Sequence, residues 1–224
     1  MWSQADRFSR LAYEGETLEG IGIERGFAGF EQTGCYAEKV AYRHRRTDHA
    51  DIYFIANQTD RTRELTVSMR VQGRCPQLWY PVSGEIRRNV EWFEKDGRTE
   101  MPLRLAPYES LFAVLQDVEL CEPEPGANWD ETSPRHEITS PWSVSFGTAA
   151  EPHTAIFRQL SDWSMQDDPR IKYFSGTAVY RNKFIMPGPP VAGERYFLEL
   201  EEVYNLAEIS VNGKPCGVIW TPPY

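Results

Sequence analysis

The sequence predicts an all-β protein made of two antiparallel β-sandwich domains. Short apolar segments recur along the chain, and several alternate with the period of two that a half-buried strand requires. Turn residues separate them, and the dipeptides Asp96-Gly97 and Asn212-Gly213 are strong hairpin signals. No amphipathic helix of about ten or more residues alternates with the strands. A (β/α)8 barrel alone needs about 250 residues, so no catalytic barrel is predicted in these 224 residues.

The chain is predicted to consist of four segments. Residues 1–34 carry weak signals and form a lead-in segment that is weakly structured. Residues 35–118 form the first β-sandwich. Residues 119–141 are acidic and rich in proline, which is typical of an interdomain linker. Residues 142–224 form the second β-sandwich.

In the first domain, the pattern is clearest where Leu65, Val67 and Met69 alternate with polar residues. In the second domain, only five or six strands are predicted, whereas sandwiches of this kind need about seven or eight. The second domain is therefore predicted to be truncated at its C-terminus. The predicted strands are 38–46, 51–57, 64–72, 90–94, 98–105 and 110–118 in the first domain, and 142–146, 175–186, 195–201, 207–211 and 217–220 in the second.

Composition excludes several classes of function. Apolar residues make up 41% of the chain, enough for a core, and 33 acidic against 24 basic residues give a formal charge of −9. A chain this acidic is not expected to bind nucleic acid or an anionic membrane. The apolar runs are too short for a transmembrane helix.

Processing signals are sparse. The N-terminus has no apolar segment of the signal-peptide type, so no signal peptide is predicted in this chain. The sequon Asn57-Gln58-Thr59 is interpreted as the end of a strand. The localisation is not predicted from this chain itself.

The four cysteines are Cys35, Cys75, Cys121 and Cys216, and no two of them have the Cys-x-x-Cys spacing. Their separation argues against a zinc site, and no metal ligands are predicted. They could form two disulfides or remain as four small buried thiols. The second alternative is favoured, because cysteine is often buried even when it is unpaired.

The candidate binding residues are polar and aromatic. His44 and Arg45 lie in a basic cluster that could donate hydrogen bonds to sugar hydroxyls, or could form an outward strand face paired with acids such as Asp51. The favoured interpretation is the paired strand face. Aromatic side chains can stack on the apolar face of a sugar ring or pack into a sandwich core, and the second role is the commoner one. The aromatic candidates for sugar stacking are Trp163, Tyr173, Trp220 and Tyr224.

No catalytic residue is predicted. Glycoside hydrolysis needs two facing carboxyl groups about 5–9.5 Å apart, and spacing across strands does not fix such distances. Among 33 acidic residues some pair always looks suitable, so none is singled out. A hydrolase of the serine type would need a Gly-x-Ser-x-Gly elbow, which the sequence lacks.

Two blocks of sequence carry a family resemblance. The first block comprises YRHRR, DIYFIAN and LWYPVSGE at 42–46, 51–57 and 78–85, and the second comprises IKYFSGTAVY, VNGK and GVIWTPPY at 171–180, 211–214 and 217–224. The first block is fairly specific, and the second resembles a pattern shared by many accessory domains of glycosidases.

Together these blocks resemble the C-terminal region of glycoside hydrolase family 106, the α-L-rhamnosidases, over about residues 38–224. The second block is also similar to the galactose-binding-like jelly roll of the sugar-binding domains of family 2 glycosidases. The resemblance implies that the second domain is such a jelly roll. It also implies a parent enzyme that hydrolyses terminal α-L-rhamnosyl bonds, with its catalytic carboxylates and a calcium ion in an N-terminal barrel. Nothing in this chain matches that barrel, so no catalytic or metal residue is carried over.

The resemblance leads to three hypotheses. The chain is a non-catalytic portion of a rhamnosidase-like enzyme, a free-standing carbohydrate-binding module, or a structural remnant with a bare hydrophobic interface. The expected partners are rhamnose-containing glycans and the catalytic barrel of the parent enzyme. No cofactor is expected in this chain, and calcium would belong to the barrel. Such a parent is expected to be periplasmic or secreted, with a signal encoded outside these residues.

Overall fold

The computed structural model describes residues 25–117, 121–131, 136–147, 151–186 and 188–224. Nearly all of the regular structure in these residues is strand, and the paired strands run antiparallel, which confirms the all-β prediction. The described residues divide into two compact units. One contains the chain up to Glu131 together with Leu198–Tyr224, and the other is Thr132–Phe197. Within the predicted lead-in segment the sequence allows a short helix at 4–13, and these residues lie outside the described ones.

The first unit contains a β-sandwich of two sheets. One sheet has the strand order β1-β4-β8-β7, and the other has the order β2-β3-β9-β5-β6. The strands are β1 (Phe27–Glu31), β2 (Val40–Arg46), β3 (Ala50–Asn57), β4 (Arg63–Met69), β5 (Cys75–Trp79), β6 (Ile86–Arg87), β7 (Phe93–Lys95), β8 (Arg98–Leu105) and β9 (Ser110–Gln116).

The core of this sandwich is formed by side chains that the strands place inward at alternate positions, chiefly from the four longest inner strands, β3, β4, β8 and β9. In β3 and β8 the burial pattern alternates along all eight residues, which is the period of two of a half-buried strand. Each fully buried aliphatic or aromatic side chain contributes about 1.5–3 kcal/mol to the hydrophobic stabilisation. The core residues include Tyr53, Ile55, Leu65, Val67, Met101, Leu103, Leu111, Ala113 and Leu115.

Both predicted hairpin turns are confirmed. Asp96 and Gly97 have φ angles of 50° and 74°, and Asn212 and Gly213 have φ angles of 53° and 76°. Two successive positive φ angles define the type I′ turn, whose twist matches that of the flanking strands. Asn, Asp and Gly tolerate this conformation, which is why these dipeptides identify the turns from sequence alone.

Three strands of the sandwich, β1, β5 and the two-residue β6, are not predicted from the sequence. β1 lies inside the predicted lead-in segment, and its Phe27 and Ala28 are buried against the sandwich. The stretch that contains β5 is rich in turn residues (Pro76, Pro81 and Gly84), yet β5 pairs with both β9 and β6. Proline is tolerated near the start of a strand, where the missing N–H group matters least.

Residues 121–131, which the sequence assigns to a linker, are held against the first sandwich. The amide of the buried Asn128 donates to the carbonyl oxygens of Glu91 at 2.9 Å and Pro102 at 2.7 Å, and it accepts from the N–H group of Glu91 at 2.6 Å. Arg87 forms an ion pair with Asp130 at 2.7 Å. These contacts join the segment to the body of the unit.

A disulfide between Cys75 and Cys121 attaches the same segment covalently. The expectation of four free thiols is therefore wrong for this pair, whose Cα atoms are 5.8 Å apart. Long-range strand pairing places the two residues side by side, and their separation of 46 positions gives no hint of it. Cys35 and Cys216 are free and exposed rather than buried.

The second unit is built on a three-stranded sheet of order β11-β10-β12. Its elements are β10 (Trp142–Gly147), β11 (Pro152–Phe157), a 3-10 turn (Trp163–Met165), helix α1 (Pro169–Lys172) and β12 (Val179–Arg181). Its small core contains Val144, Phe146, Phe157 and Ile171. The predicted strand at 175–186 is much shorter, and residues 195–201 form no strand, because no described strand pairs with them.

The C-terminal hairpin is formed by β13 (Ala207–Val211) and β14 (Lys214–Ile219). Both strands are largely exposed. The galactose-binding-like jelly roll remains a prediction.

Among the described helices, none is long and apolar enough to cross a membrane.

Replacing Cys75 and Cys121 by alanine is expected to lower the free energy of unfolding by about 4 kcal/mol, because the bridge closes a loop between residues 46 positions apart. Urea unfolding followed by tryptophan fluorescence measures the change. The control replaces the exposed Cys35 and Cys216 by serine and should leave the urea midpoint unchanged. Equal midpoints for the two double variants would show that the bridge does not form.

Candidate functional site

His44 lies on β2 directly opposite Tyr53 of β3. The two rings are stacked, with centroids 4.2 Å apart and planes inclined by only 3°. The Nε2 atom of His44 lies 2.6 Å from Oδ1 of Asp51. His44 is thus paired with Asp51, as the sequence analysis favours, but its ring lies on the same face of the sheet as the buried Tyr53 rather than on an outward face.

Asp51 links His44 to two further charged groups. Its side chain is 4% exposed, and its Oδ2 accepts from Nη1 of Arg74 at 2.7 Å. The Nε atom of Arg74 in turn lies 2.9 Å from Oδ1 of Asp117, with which it forms an ion pair. Both oxygens of Asp51 are thus occupied by cationic or donor groups. A carboxylate held in this way is a structural anchor and is poorly suited to act as a general acid.

The hydroxyl group of Tyr53 lies beneath this network. It is buried and has no hydrogen-bond partner in the part of the chain that the structure describes. Burial, followed by the negative charge of Asp51, raises the pKa of Tyr53 well above its usual range. The phenol therefore stays neutral at physiological pH.

Arg45, the second polar candidate, is exposed on β2 opposite Ile52. Within the described ranges it forms no ion pair or side-chain hydrogen bond. His44 and Arg45 are adjacent on the strand, so their side chains project from opposite faces of the sheet. The structure does not combine them into one binding surface.

Of the aromatic candidates, Trp163 is a core residue of the second unit. Its ring packs edge-on against Phe146 at 5.7 Å and Phe174 at 5.8 Å. Tyr173 lies just after helix α1 and is 76% exposed, while Trp220 follows β14 in the first unit and is 64% exposed. Only the last two present an open ring, and their role in sugar binding remains a prediction.

A polar cleft that the sequence analysis did not identify lies on the first unit, with a volume of about 590 Å³. Three connections of the sandwich form its walls: the segment after β1, the β3–β4 connection and the β8–β9 turn. Tyr36 and Tyr108 line it and are 52% and 53% exposed. Arg63, only 6% exposed, also lines it, forms an ion pair with Glu31 and donates from Nη1 to the carbonyl oxygen of Glu38 at 3.0 Å.

Glu109 follows Tyr108 in the β8–β9 turn. Its Oε2 accepts from the backbone N–H group of Ala106 at 2.7 Å. Burial raises the pKa of this carboxyl group, although the hydrogen bond to Ala106 and the charge of Arg87 act in the opposite direction. Glu109 therefore retains its proton to a higher pH than an exposed glutamate.

Comparison with known proteins shows which proteins the chain resembles. The family model of the α-L-rhamnosidases of glycoside hydrolase family 106 matches residues 12–93. The chain resembles these α-L-rhamnosidases. The predicted resemblance to this family is confirmed, and the match covers the first of the two sequence blocks.

Two proteins illustrate the similarity. The solved rhamnosidase from Novosphingobium sp. PP1Y superposes with a TM-score of 0.70 and 27% identity, over 92% of this chain and 19% of that one. A curated protein of Formosa agariphila, provisionally assigned as a beta-glucuronidase, is 40% identical over 79 residues, which is 35% of this chain and 7% of that protein. The rhamnosidase-like chain thus spans a small fraction of either relative.

The calcium ion implied by the family resemblance finds no evident ligand set here. Within the described ranges, no group of three or more His, Cys, Asp or Glu side chains could hold a metal ion.

Replacing Arg74 by methionine is expected to lower the free energy of unfolding by about 3 kcal/mol, because the buried Asp51 then loses its strongest cationic partner. The double variant Asp51→Asn/Arg74→Met should recover much of this loss. Arg45→Met, on the exposed strand, is the matched control and should change stability by less than about 0.5 kcal/mol. Equal losses for Arg74→Met and Arg45→Met in urea unfolding would contradict the network.

The raised pKa of Glu109 predicts a pH dependence. An acid whose pKa is higher in the folded state contributes stability below its unfolded pKa of about 4.3, and this contribution disappears as the pH rises through the folded value. The stability of the unmodified protein relative to Glu109→Gln should therefore fall between about pH 4 and neutral pH. Thermal unfolding at both pH values measures the difference. A difference that stays constant with pH would show that Glu109 titrates normally.

Proposed function

We propose that this chain is a non-catalytic β-sandwich portion of a glycoside hydrolase related to the α-L-rhamnosidases. The observation that carries the proposal is the similarity of 92% of the chain to only 19% of a solved rhamnosidase. The β-sandwich architecture supports it, because the barrel to which the family resemblance assigns the catalytic groups has alternating strands and helices. The parent enzyme would hydrolyse terminal α-L-rhamnosyl bonds.

Three carboxylates held by cationic or donor groups are unsuited to act as the catalytic acid. Hydrolysis requires one protonated and one ionised carboxyl group facing the same bond. Asp51 is bound by His44 and Arg74, and Glu31 is bound by Arg63. The hydrogen bonds from Arg170 hold the pKa of Asp168 at about 2, which keeps that group ionised. None of these three is free to act as the acid.

A second candidate function is that of a carbohydrate-binding module. The open rings of Tyr173 and Trp220 favour it, because exposed aromatic side chains supply rigid apolar faces against which a sugar ring can pack. In this role the chain would bind rhamnose-containing glycans without cleaving them. The two functions are compatible, since a non-catalytic portion of an enzyme can also hold its substrate.

The catalytic barrel of the parent enzyme is the proposed protein partner. Several large apolar side chains of the second unit are exposed, including Ile185 at 90% and Met165 at 78%. Soluble monomers rarely leave large contiguous apolar areas bare. Contact with further parts of a longer protein would remove such surface from water.

Incubation of the purified 224-residue chain with an aryl α-L-rhamnoside should release no aryl alcohol above the rate without protein. A full-length rhamnosidase of the family, assayed in parallel, verifies the substrate. Turnover by the chain that scales with its concentration would refute the proposal. A heat-denatured sample is the control for contaminating activity.

A further inference from the structure

The polar cleft of the first unit is rigidly built. Tyr36 pairs with Phe30 through an isolated β-bridge, and their rings lie 5.0 Å apart. The guanidinium carbon of Arg25 lies 4.8 Å from the centroid of the Tyr36 ring. Phe30 and Arg25 thus contact the Tyr36 ring, while about half of the residue stays exposed.

Tyr108 is positioned by the backbone. Its φ angle is 55°, in the left-handed region that a bulky residue seldom occupies. Its N–H group donates to the carbonyl oxygen of Thr59 at 3.0 Å. Glycine or asparagine would adopt this turn with less strain, so the sequence maintains an exposed aromatic ring at an energetic cost. Strained positions of this kind concentrate at binding sites.

Asn57 fixes the two connections that form this side of the cleft. Its Nδ2 donates to the carbonyl oxygens of Arg61 and Ala106, each at 2.8 Å. Its Oδ1 accepts from the N–H and hydroxyl groups of Thr59 at 3.0 and 2.7 Å. One buried amide thus holds the β3–β4 connection against the turn that carries Tyr108.

The charges around the cleft are balanced. With three carboxylates and three cationic groups, the lining is formally neutral and rich in hydrogen-bond donors and acceptors. A phosphate site would show an excess of cationic groups, and a site for a divalent cation would show an excess of carboxylates. The charged lining residues are Glu31, Glu38, Asp60, Lys39, Arg61 and Arg63.

We propose that this cleft binds a neutral sugar ring of the oligosaccharide on which the parent enzyme acts. Tyr36 and Tyr108 would pack against the apolar faces of the sugar, and the neutral polar lining would bind its hydroxyl groups. The volume of about 590 Å³ is within the range of sites for small ligands. This inference rests on the proposed function, because that function supplies carbohydrate as the class of ligand.

The test is a titration of the full chain with methyl α-L-rhamnoside, methyl β-D-galactoside and D-glucuronate, followed by NMR chemical shifts. A dissociation constant is expected for at least one neutral glycoside. Tyr36→Ala and Tyr108→Gly should each weaken its binding by about tenfold, which is the upper range for an aromatic contact. Glycine is chosen at position 108 because it adopts a positive φ without strain, so the variant should fold.

Phe93→Ala is the matched control, since it removes an exposed ring of the first unit that does not line the cleft, and Tyr173→Ala tests the alternative binding surface. Binding that is lost in Tyr173→Ala and retained in the two cleft variants would overturn the inference while leaving a carbohydrate-binding role intact. Binding of D-glucuronate alone would overturn the neutral ligand class. Absence of binding by all three sugars would overturn the cleft inference, whereas the non-catalytic assignment is decided separately by turnover of the aryl rhamnoside.

Discussion

The inward faces of β3, β4, β8 and β9 hold the first unit together. Each of these strands places alternate residues in one shared core, so the pairing register decides which side chains are removed from water. A shift of β3 by one residue would turn Tyr53 and Ile55 outward and bring Ile52 and Phe54 inward. The same register sets His44 opposite Tyr53, and it fixes where the connections around the polar cleft begin and end. The candidate site is thus a consequence of the packing of the two sheets.

Sequence reasoning succeeds where structure is determined locally. The strand at 98–105 and the Asp96-Gly97 turn are set by neighbouring residues, and both are predicted correctly. It fails where distant partners decide the outcome. Residues 121–131 have the composition of a linker, yet Asn128 and the bridge at Cys121 bind them to strands that lie far away in sequence. These residues are polar and rich in proline, but that composition gives no information about the contacts that hold them.

The candidate site shows the same limit. Trp163 and Tyr173 have equivalent signals in the sequence, and only the rings of Phe146 and Phe174 determine that Trp163 is packed while Tyr173 is open. The cleft is assembled from three connections whose residues are separated by dozens of positions. No periodic pattern marks such a surface. The sequence around Tyr108 shows only a tyrosine beside Pro107 in a short turn. This pattern does not distinguish a binding residue from an ordinary turn residue.

The buried amide of Asn57 has a consequence for the choice of expression host. Asn57 belongs to an Asn-Gln-Thr sequon, and its side chain is 2% exposed in the folded protein. Oligosaccharyltransferase modifies nascent chains before they fold, so a secretory pathway of a eukaryote could attach a glycan to this nitrogen. A glycosylated Asn57 could not donate to both Arg61 and Ala106, and the bulky sugar would have no space between the two connections. Bacterial production avoids this covalent block to folding.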